Sequence, residues 1–150
     1  MKGAGRCMAP VAGADSGGEL IPILLVEDEI LIRLASSDWL RDAGYAVIEA
    51  SGPAEAMEIL ATGQPLALLA TDITMPGPLD GLDLASHFRA VRPGLPVVLL
   101  SAHVPDDPFA HADAALSKPF GPSQLLATVE QLIGVPWQTR TPVNGASRAC

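Results

Sequence analysis

The sequence predicts an α/β fold, a five-stranded parallel sheet with helices on both faces, and three observations carry that expectation. Short apolar runs of strand length alternate along the chain with stretches of helical apolar spacing, a pattern that demands parallel pairing through right-handed crossovers. Two of the runs, IPILLV at 21–26 and LALLAT at 66–71, are apolar nearly throughout instead of alternating, as strands buried on both faces are. Both end in carboxylates, the first in Glu27, Asp28 and Glu29 and the second in Asp72. Two strands that deliver acids at the same end gather them on one rim of the sheet, the carboxyl-end rim where open parallel sheets bind ligands.

Taken in order, residues 1–19 are Gly- and Ala-rich without period and are expected to be a disordered lead. The first strand spans 21–27, and a helix from about 29 to 43 follows, with Leu31, Leu34, Ala35 and Trp39 as candidate core positions and Gly44 as its stop. The second strand is 45–50, and Ser51 is the expected N-cap of a helix running to Thr62. The third strand is 66–71, bounded by Pro65 and the turn Met75, Pro76, Gly77. Leu82, Ala85, Phe88 and Val91 then repeat at helical spacing up to Arg92. Pro93, Gly94 and Pro96 break the chain before the fourth strand, 97–101.

Only 16 residues separate Ser101 from Lys118, Pro105 and Pro108 stand among them, and a fifth strand, 114–117, must fit there too. A fourth helix is therefore expected to be short or irregular. The last helix, 122–133, carries Leu125, Leu126, Val129, Leu132 and Ile133 on one stripe. The expected domain is 20–134, a flavodoxin-like doubly wound sheet with strand order 2-1-3-4-5, followed by a loose tail at 135–150.

Composition narrows the function classes. With 150 residues, 49% hydrophobic and 17% charged, the chain fits one globular domain. No apolar run approaches the ~18 residues of a membrane span, and the N-terminus lacks a signal-peptide core, so a cytoplasmic location with no membrane partner is expected. A net charge of −8 opposes a nucleic-acid partner, because affinity for polyphosphate comes mostly from Lys and Arg. Cys7 and Cys150 lie in the two tails and form neither a disulfide framework nor a metal cluster.

Asp72 alone has a plain alternative reading, since an Asp after a strand is often a turn former bonding its own backbone. Its company points to chemistry. Clustered carboxylates repel one another and stay ionised together only beside a cation. Oxygen donors favour a hard ion, and Mg²⁺ typically takes one or two carboxylates, waters and a phosphate. A carboxylate can itself be the nucleophile and form an aspartyl-phosphate. Lys118, at the end of the fifth strand, is placed to neutralise an added phosphoryl group, and Ser101, at the end of the fourth, to donate a hydrogen bond to it.

The motifs VEDE at 26–29, TDITMPG at 71–77, DGLDLA at 80–85, LLSA at 99–102 and SKPF at 117–120 resemble those of the receiver domain of two-component response regulators. The resemblance covers residues 21–133, each motif on its expected element. It implies that Asp72 is the phosphoacceptor, taking its phosphoryl group from a phosphohistidine of a sensor histidine kinase or a phosphotransfer protein. It also implies that Asp28 and Asp72 bind Mg²⁺ directly, that the backbone carbonyl of Thr74 is a third protein ligand, and that Glu27 supports the ion through water. Lys118 would pair with the phosphoryl group and Ser101 would move to bond it, propagating a change to the face of the fourth helix, fifth strand and last helix.

Two departures stand out. The family commonly carries an aromatic residue three positions before the rim lysine, where this chain has Ala115, and the loop after Asp72 is one residue longer than the common form. Thr74 and His103 occupy positions that, in the family, tune phosphoryl lifetime. His87, His103 and His111 are too scattered for a zinc site, and no Gly-rich phosphate loop occurs. A haloacid-dehalogenase-like phosphatase needs a second Asp where Thr74 stands. Trp39 and Trp137 are expected to be packing and tail residues. The expected function is a stand-alone receiver, not an enzyme beyond assisting its own phosphorylation and dephosphorylation, that signals to an unknown downstream protein. The alternative is a receiver-fold interaction module that works without phosphorylation.

Overall fold

In the computed structural model, which describes residues 20–136, β1 runs Ile23–Val26, β2 Val47–Ala50, β3 Leu68–Asp72, β4 Val97–Ser101 and β5 Ala114–Ser117. All pair in parallel in the order β2-β1-β3-β4-β5, the 2-1-3-4-5 arrangement expected. The helices are α1 (Ile30–Asp42), α2 (Pro53–Thr62), α3 (Gly81–Val91) and α4 (Pro122–Ile133). Helices α1 and α4 pack together on one face of the sheet, and α2 and α3 on the other. Between β4 and β5 a single 3-10 turn, Pro108–Ala110, takes the place of a helix, as the two prolines and short spacing require.

The central strands show why no alternation is legible in them. Leu24 and Val26 of β1 enter the core beneath α2 and α3, whereas Ile23 and Leu25 enter the core beneath α1 and α4, and all four are fully buried. Two covered faces make every position apolar. Asp72 is the last residue of β3 and not the first residue beyond it. Residues of the N-terminal lead, Cys7, Trp137, Cys150 and nearly all of the expected tail lie outside the described residues.

Three local expectations are corrected. In α1 the buried face is Ser36, Ser37 and Leu40; Trp39 packs on the core as expected and Ala35 is half-buried, while Leu31 is 74% and Leu34 45% exposed. On the polar side of the helix Arg33, Ser37 and Arg41 bond Glu49 on the edge strand β2. In α3 Ala85 and Phe88 are fully buried and Leu82 packs on the core as the spacing predicts, but Val91 is exposed, and Leu84 and Gly81 complete the inward face. A Cβ at Gly81 would stand 2.0 Å from the Asp72 carbonyl oxygen. Only glycine lets the helix start against the strand end. Ser51 is not the N-cap of α2: Gly52 is, and Ser51 instead donates from its backbone N–H (2.5 Å) and hydroxyl (2.9 Å) to Glu55 Oε1.

The second strand begins at Val47, later than expected, and Tyr45 before it is buried and donates its hydroxyl to the Gly134 carbonyl at 2.7 Å. This ties the start of β2 to the end of α4. No helix among the described residues is long and apolar enough to cross a membrane.

Candidate functional site

The site forms at the carboxyl ends of β1, β3, β4 and β5, and parallel pairing in register builds it. Val26 pairs with Thr71, Asp72 with Leu100, and Ser101 with Ser117, so the residues following each strand meet on one rim. Glu27 (1% exposed) and Asp72 (6%) are buried there, and Asp28 is exposed beside them. One oxygen from each of the three carboxylates lies within 4.8 Å of the others.

Lys118 bridges the buried pair. Its Nζ donates to Glu27 Oε1 at 2.8 Å and lies 3.4 Å from Asp72 Oδ1. A half-buried ammonium held by two carboxylates leaves the three acids with a net negative charge on the open side of the rim. Burial pushes the Glu27 and Asp72 carboxyls above their ordinary range, against the hydrogen bonding and charge of Lys118. For Lys118 burial works the other way, but its bond to Glu27 and the charges of Glu27 and Asp72 outweigh it, and its pKa is raised. The cluster thus favours a cation as a third participant.

Backbone contacts fix these groups. Thr71 Oγ1 donates to the Asp72 carbonyl at 2.8 Å, Gly81 N–H to the Ile73 carbonyl at 2.7 Å, and Glu29 N–H to Glu27 Oε2 at 3.2 Å. A capping box, Asp83 N–H to Asp80 Oδ1 and Asp80 N–H to Asp83 Oδ2, starts α3 just behind the rim. The peptide between Lys118 and Pro119 is cis.

Ser101 is on the rim and buried, but its hydroxyl is turned to the following loop. It donates to the His103 carbonyl at 3.0 Å and accepts from the His103 N–H at 3.1 Å. Thr74 is exposed two residues past the end of β3, and His103 is exposed in the loop after β4. Ala115 of β5 is half-buried and packs on the core beneath α2 and α3. Glu27, Asp28, Asp72 and Lys118 are thus together, with Ser101 and Thr74 at the margin.

Sequence reasoning missed Arg33, whose Nη1 donates to the Glu27 carbonyl at 2.8 Å and whose Nε donates to Glu49 Oε1 at 3.3 Å. The available signal was a lone Arg in the first turn after three acids. Its partner on β2 is 16 residues away and only pairing of β1 with β2 brings it near. Beside the rim lies a cavity of about 430 Å³ whose walls include Leu31, Ala35, Trp39, Pro119 and Phe120. It adjoins the acids through Lys118 but is itself apolar, so the chemistry sits on the rim and not in the cavity. Trp39 and Phe120 meet edge to face across it, ring centroids 6.4 Å apart.

The arrangement can hold a hard divalent cation with carboxylate oxygens and present Asp72 to an electrophile beside a fixed ammonium. A family model described as the response regulator receiver domain matches residues 23–130. The transcriptional regulatory protein PdtaR of Mycobacterium tuberculosis is 37% identical over 114 residues, 72% of this chain and 54% of PdtaR. The chain spans only about half the length of that relative, and 12% of the sensor kinase CckA of Brucella abortus. Among solved structures, a response regulator receiver protein from Sinorhizobium medicae is 35% identical with a TM-score of 0.71, covering 76% of this chain and 94% of that one. The response regulator TrrA of Thermotoga maritima, solved in complex with Mg²⁺-BeF, is 30% identical with a TM-score of 0.69, covering 75% of this chain and 99% of that one.

Proposed function

The chain belongs to the response regulator receiver domain family, and from that premise we propose that it is a phosphorylatable switch of a two-component system with Asp72 as phosphoacceptor. The observation that carries this reading is the rim set itself, three carboxylates with oxygens within 4.8 Å of one another and Lys118 spanning Glu27 and Asp72. The donor is a phosphohistidine of a sensor histidine kinase or a phosphotransfer protein. An Asp72 carboxylate oxygen forms a bond to phosphorus as the phosphorus–nitrogen bond breaks, and the imidazole, protonated on its other nitrogen, leaves neutral.

The donor chemistry of the acids fits Mg²⁺, which when bound would offset charge on the phosphoryl oxygens and hold them in line. In this reading Asp28 and Asp72 bind it directly, the Thr74 backbone carbonyl is a third protein ligand, and Glu27 acts through water. Lys118 leaves part of its bond to Glu27 to meet the added charge. The Ser101 hydroxyl donates to the phosphoryl group only by giving up the bond it donates to the His103 carbonyl, which couples phosphorylation to the loop leading into the 3-10 turn. Phosphorylation adds roughly −1.5 to −2 charges and favours whichever conformation brings donors to them.

The protein assists its own phosphorylation and dephosphorylation and catalyses nothing else. Its signal leaves through contact with another protein. The net charge of −8 supports the absence of a nucleic-acid partner. The donor's surface is met by the exposed residues Ile30, Leu31 and Leu34 of α1, the helix that begins immediately after Glu29.

The test is incubation with Mg²⁺ and acetyl phosphate, followed by intact mass, with Asp72→Asn alongside. A phosphate-sized gain in the wild type alone is expected. A folded wild type that gains nothing, from acetyl phosphate or from phosphorylated kinases of its source, overturns the reading in favour of a phosphorylation-independent module. Ala115 and the missing helix between β4 and β5 are the features that would suit such a module.

A further inference from the structure

The turn between β1 and α1 places Glu27, Asp28 and Glu29 in a row, and α1 begins without a side-chain cap on its free N–H groups. Adjacent carboxylates repel, and an uncapped helix start frays. Something must hold this turn. Arg33 touches it with its side chain: beyond the first helical bond of its backbone N–H to the Glu29 carbonyl at 3.0 Å, which any residue there would make, its guanidinium Nη1 donates to the Glu27 carbonyl at 2.8 Å. The guanidinium is in turn anchored through Nε to Glu49 Oε1 at 3.3 Å.

Glu49 is itself immobilised. Ser37 Oγ and Arg41 Nη1 each donate to its Oε2 at 2.9 Å, and Arg41 Nη2 donates to the Val47 carbonyl at 3.0 Å. In the sheet Glu49 pairs with Leu25, two residues before Glu27, and Glu27 N–H donates to the Ala50 carbonyl at 3.1 Å. The main chain of Glu27 is therefore pinned at both its N–H and its carbonyl, the second time by a side chain. A planar guanidinium with donors on two edges can span two acceptors, which a lysine ammonium on a flexible stem cannot reproduce.

We propose that Arg33 is a positioning residue for the acidic site: it clamps the β1–α1 turn to β2 so that Glu27 and Asp28 present their carboxylates in one geometry to a divalent cation. This rests on the reading of the acids as a Mg²⁺ site. The alternative action of Arg33 has the opposite sign. A positive charge beside a cation site weakens cation binding, so removing it would tighten binding if charge were all that mattered. Glu49 pairs with the guanidinium and diminishes that repulsion, leaving geometry as the larger effect.

The test is calorimetric titration of Mg²⁺ into metal-free wild type, Arg33→Met, Arg33→Lys and Glu49→Gln, with a thermal melt of each. Partners that orient metal ligands typically contribute 10- to 100-fold to affinity, so about tenfold weaker binding is expected in both Arg33 variants. Arg33→Lys is the decisive one, because it keeps the charge and loses the two-pronged reach. Glu49→Gln leaves Arg33 in place but weakens its anchor, and weaker binding is expected there too, even if an Arg33 variant fails to fold. Wild-type affinity in folded Arg33→Lys, or tighter binding in Arg33→Met, overturns the inference while leaving the Mg²⁺ site standing. Absence of Mg²⁺ binding by the wild type overturns the site and the inference together.

Discussion

At the residue scale, each charged group of the rim is defined by what already holds it. Lys118 is closer to Glu27 than to Asp72, and Ser101 is closed onto His103, so under the proposed function both side chains would have to leave a partner to meet a phosphoryl group. Away from the rim, Glu49 gives the clearest pH dependence. Burial opposes its ionisation, but hydrogen bonds from Ser37 and Arg41, the charge of Arg41 and the bond from Arg33 outweigh it, and its pKa is lowered. A carboxyl with a depressed folded pKa contributes stability that is full above its unfolded value and lost as pH falls through the folded one. Between about pH 5 and about pH 3 the thermal midpoint of the wild type should therefore fall more steeply than that of Glu49→Gln, as scanning calorimetry would record. Parallel slopes would mean that the three donors add nothing net.

At the element scale, α3 and α1 carry different burdens. The first residue of α3 is pressed against the end of β3, where a Cβ at Gly81 would stand 2.0 Å from the Asp72 carbonyl oxygen and 2.7 Å from Ile73 Cα. Both are backbone atoms, so the helix or the strand end must shift. Gly81→Ala is expected to cost about 2 kcal/mol in urea unfolding, in the range of overpacked cores. It is also expected to slow phosphorylation by acetyl phosphate, because the displaced segment carries Asp72. Helix α1 buries Ser36, Ser37 and Leu40 and leaves Ile30, Leu31 and Leu34 exposed. Leu31→Glu should change unfolding stability by no more than about 0.5 kcal/mol, as exposed substitutions do. The same variant should accept phosphate from acetyl phosphate normally and from its kinase slowly, a split that kinetics with the two donors would show.

At the scale of the whole molecule, a doubly wound sheet concentrates the ends of its middle strands on one rim, and this chain loads that rim with like charge. Glu27, Asp28 and Asp72 face one another with Lys118 as the compensating cation. A ligand that binds the folded state alone stabilises it by mass action, about 2.7 kcal/mol when present at a hundredfold excess over Kd. Mg²⁺ should accordingly raise the thermal midpoint of the wild type and leave that of Asp28→Asn almost unmoved, with an added monovalent salt as control for screening. An equal rise in both would assign the effect to ionic strength.

Much of this protein was legible in one dimension. Fully apolar runs ending in acids marked β1 and β3, prolines and spacing announced a short or irregular element before β5, and the positions of Asp28, Asp72, Ser101 and Lys118 at strand ends foretold a shared rim. Those features are local or follow from chain connectivity, so sequence suffices. The stripe of α3 was legible through Leu82, Ala85 and Phe88 and failed only at Val91. In α1 the outward turn of Leu31 and Leu34 was not legible, because an amphipathic stripe does not show where its apolar edge leaves the sheet, and the polar side of that helix is bonded to Glu49. The clamp of Arg33 was likewise invisible, since it joins residues 16 apart that meet only when β1 and β2 pair. The sequence by itself determined the fold, the order of its elements and the chemical identity of the rim. Tertiary structure alone decided orientation, because the direction in which a side chain points depends on partners brought from elsewhere in the chain.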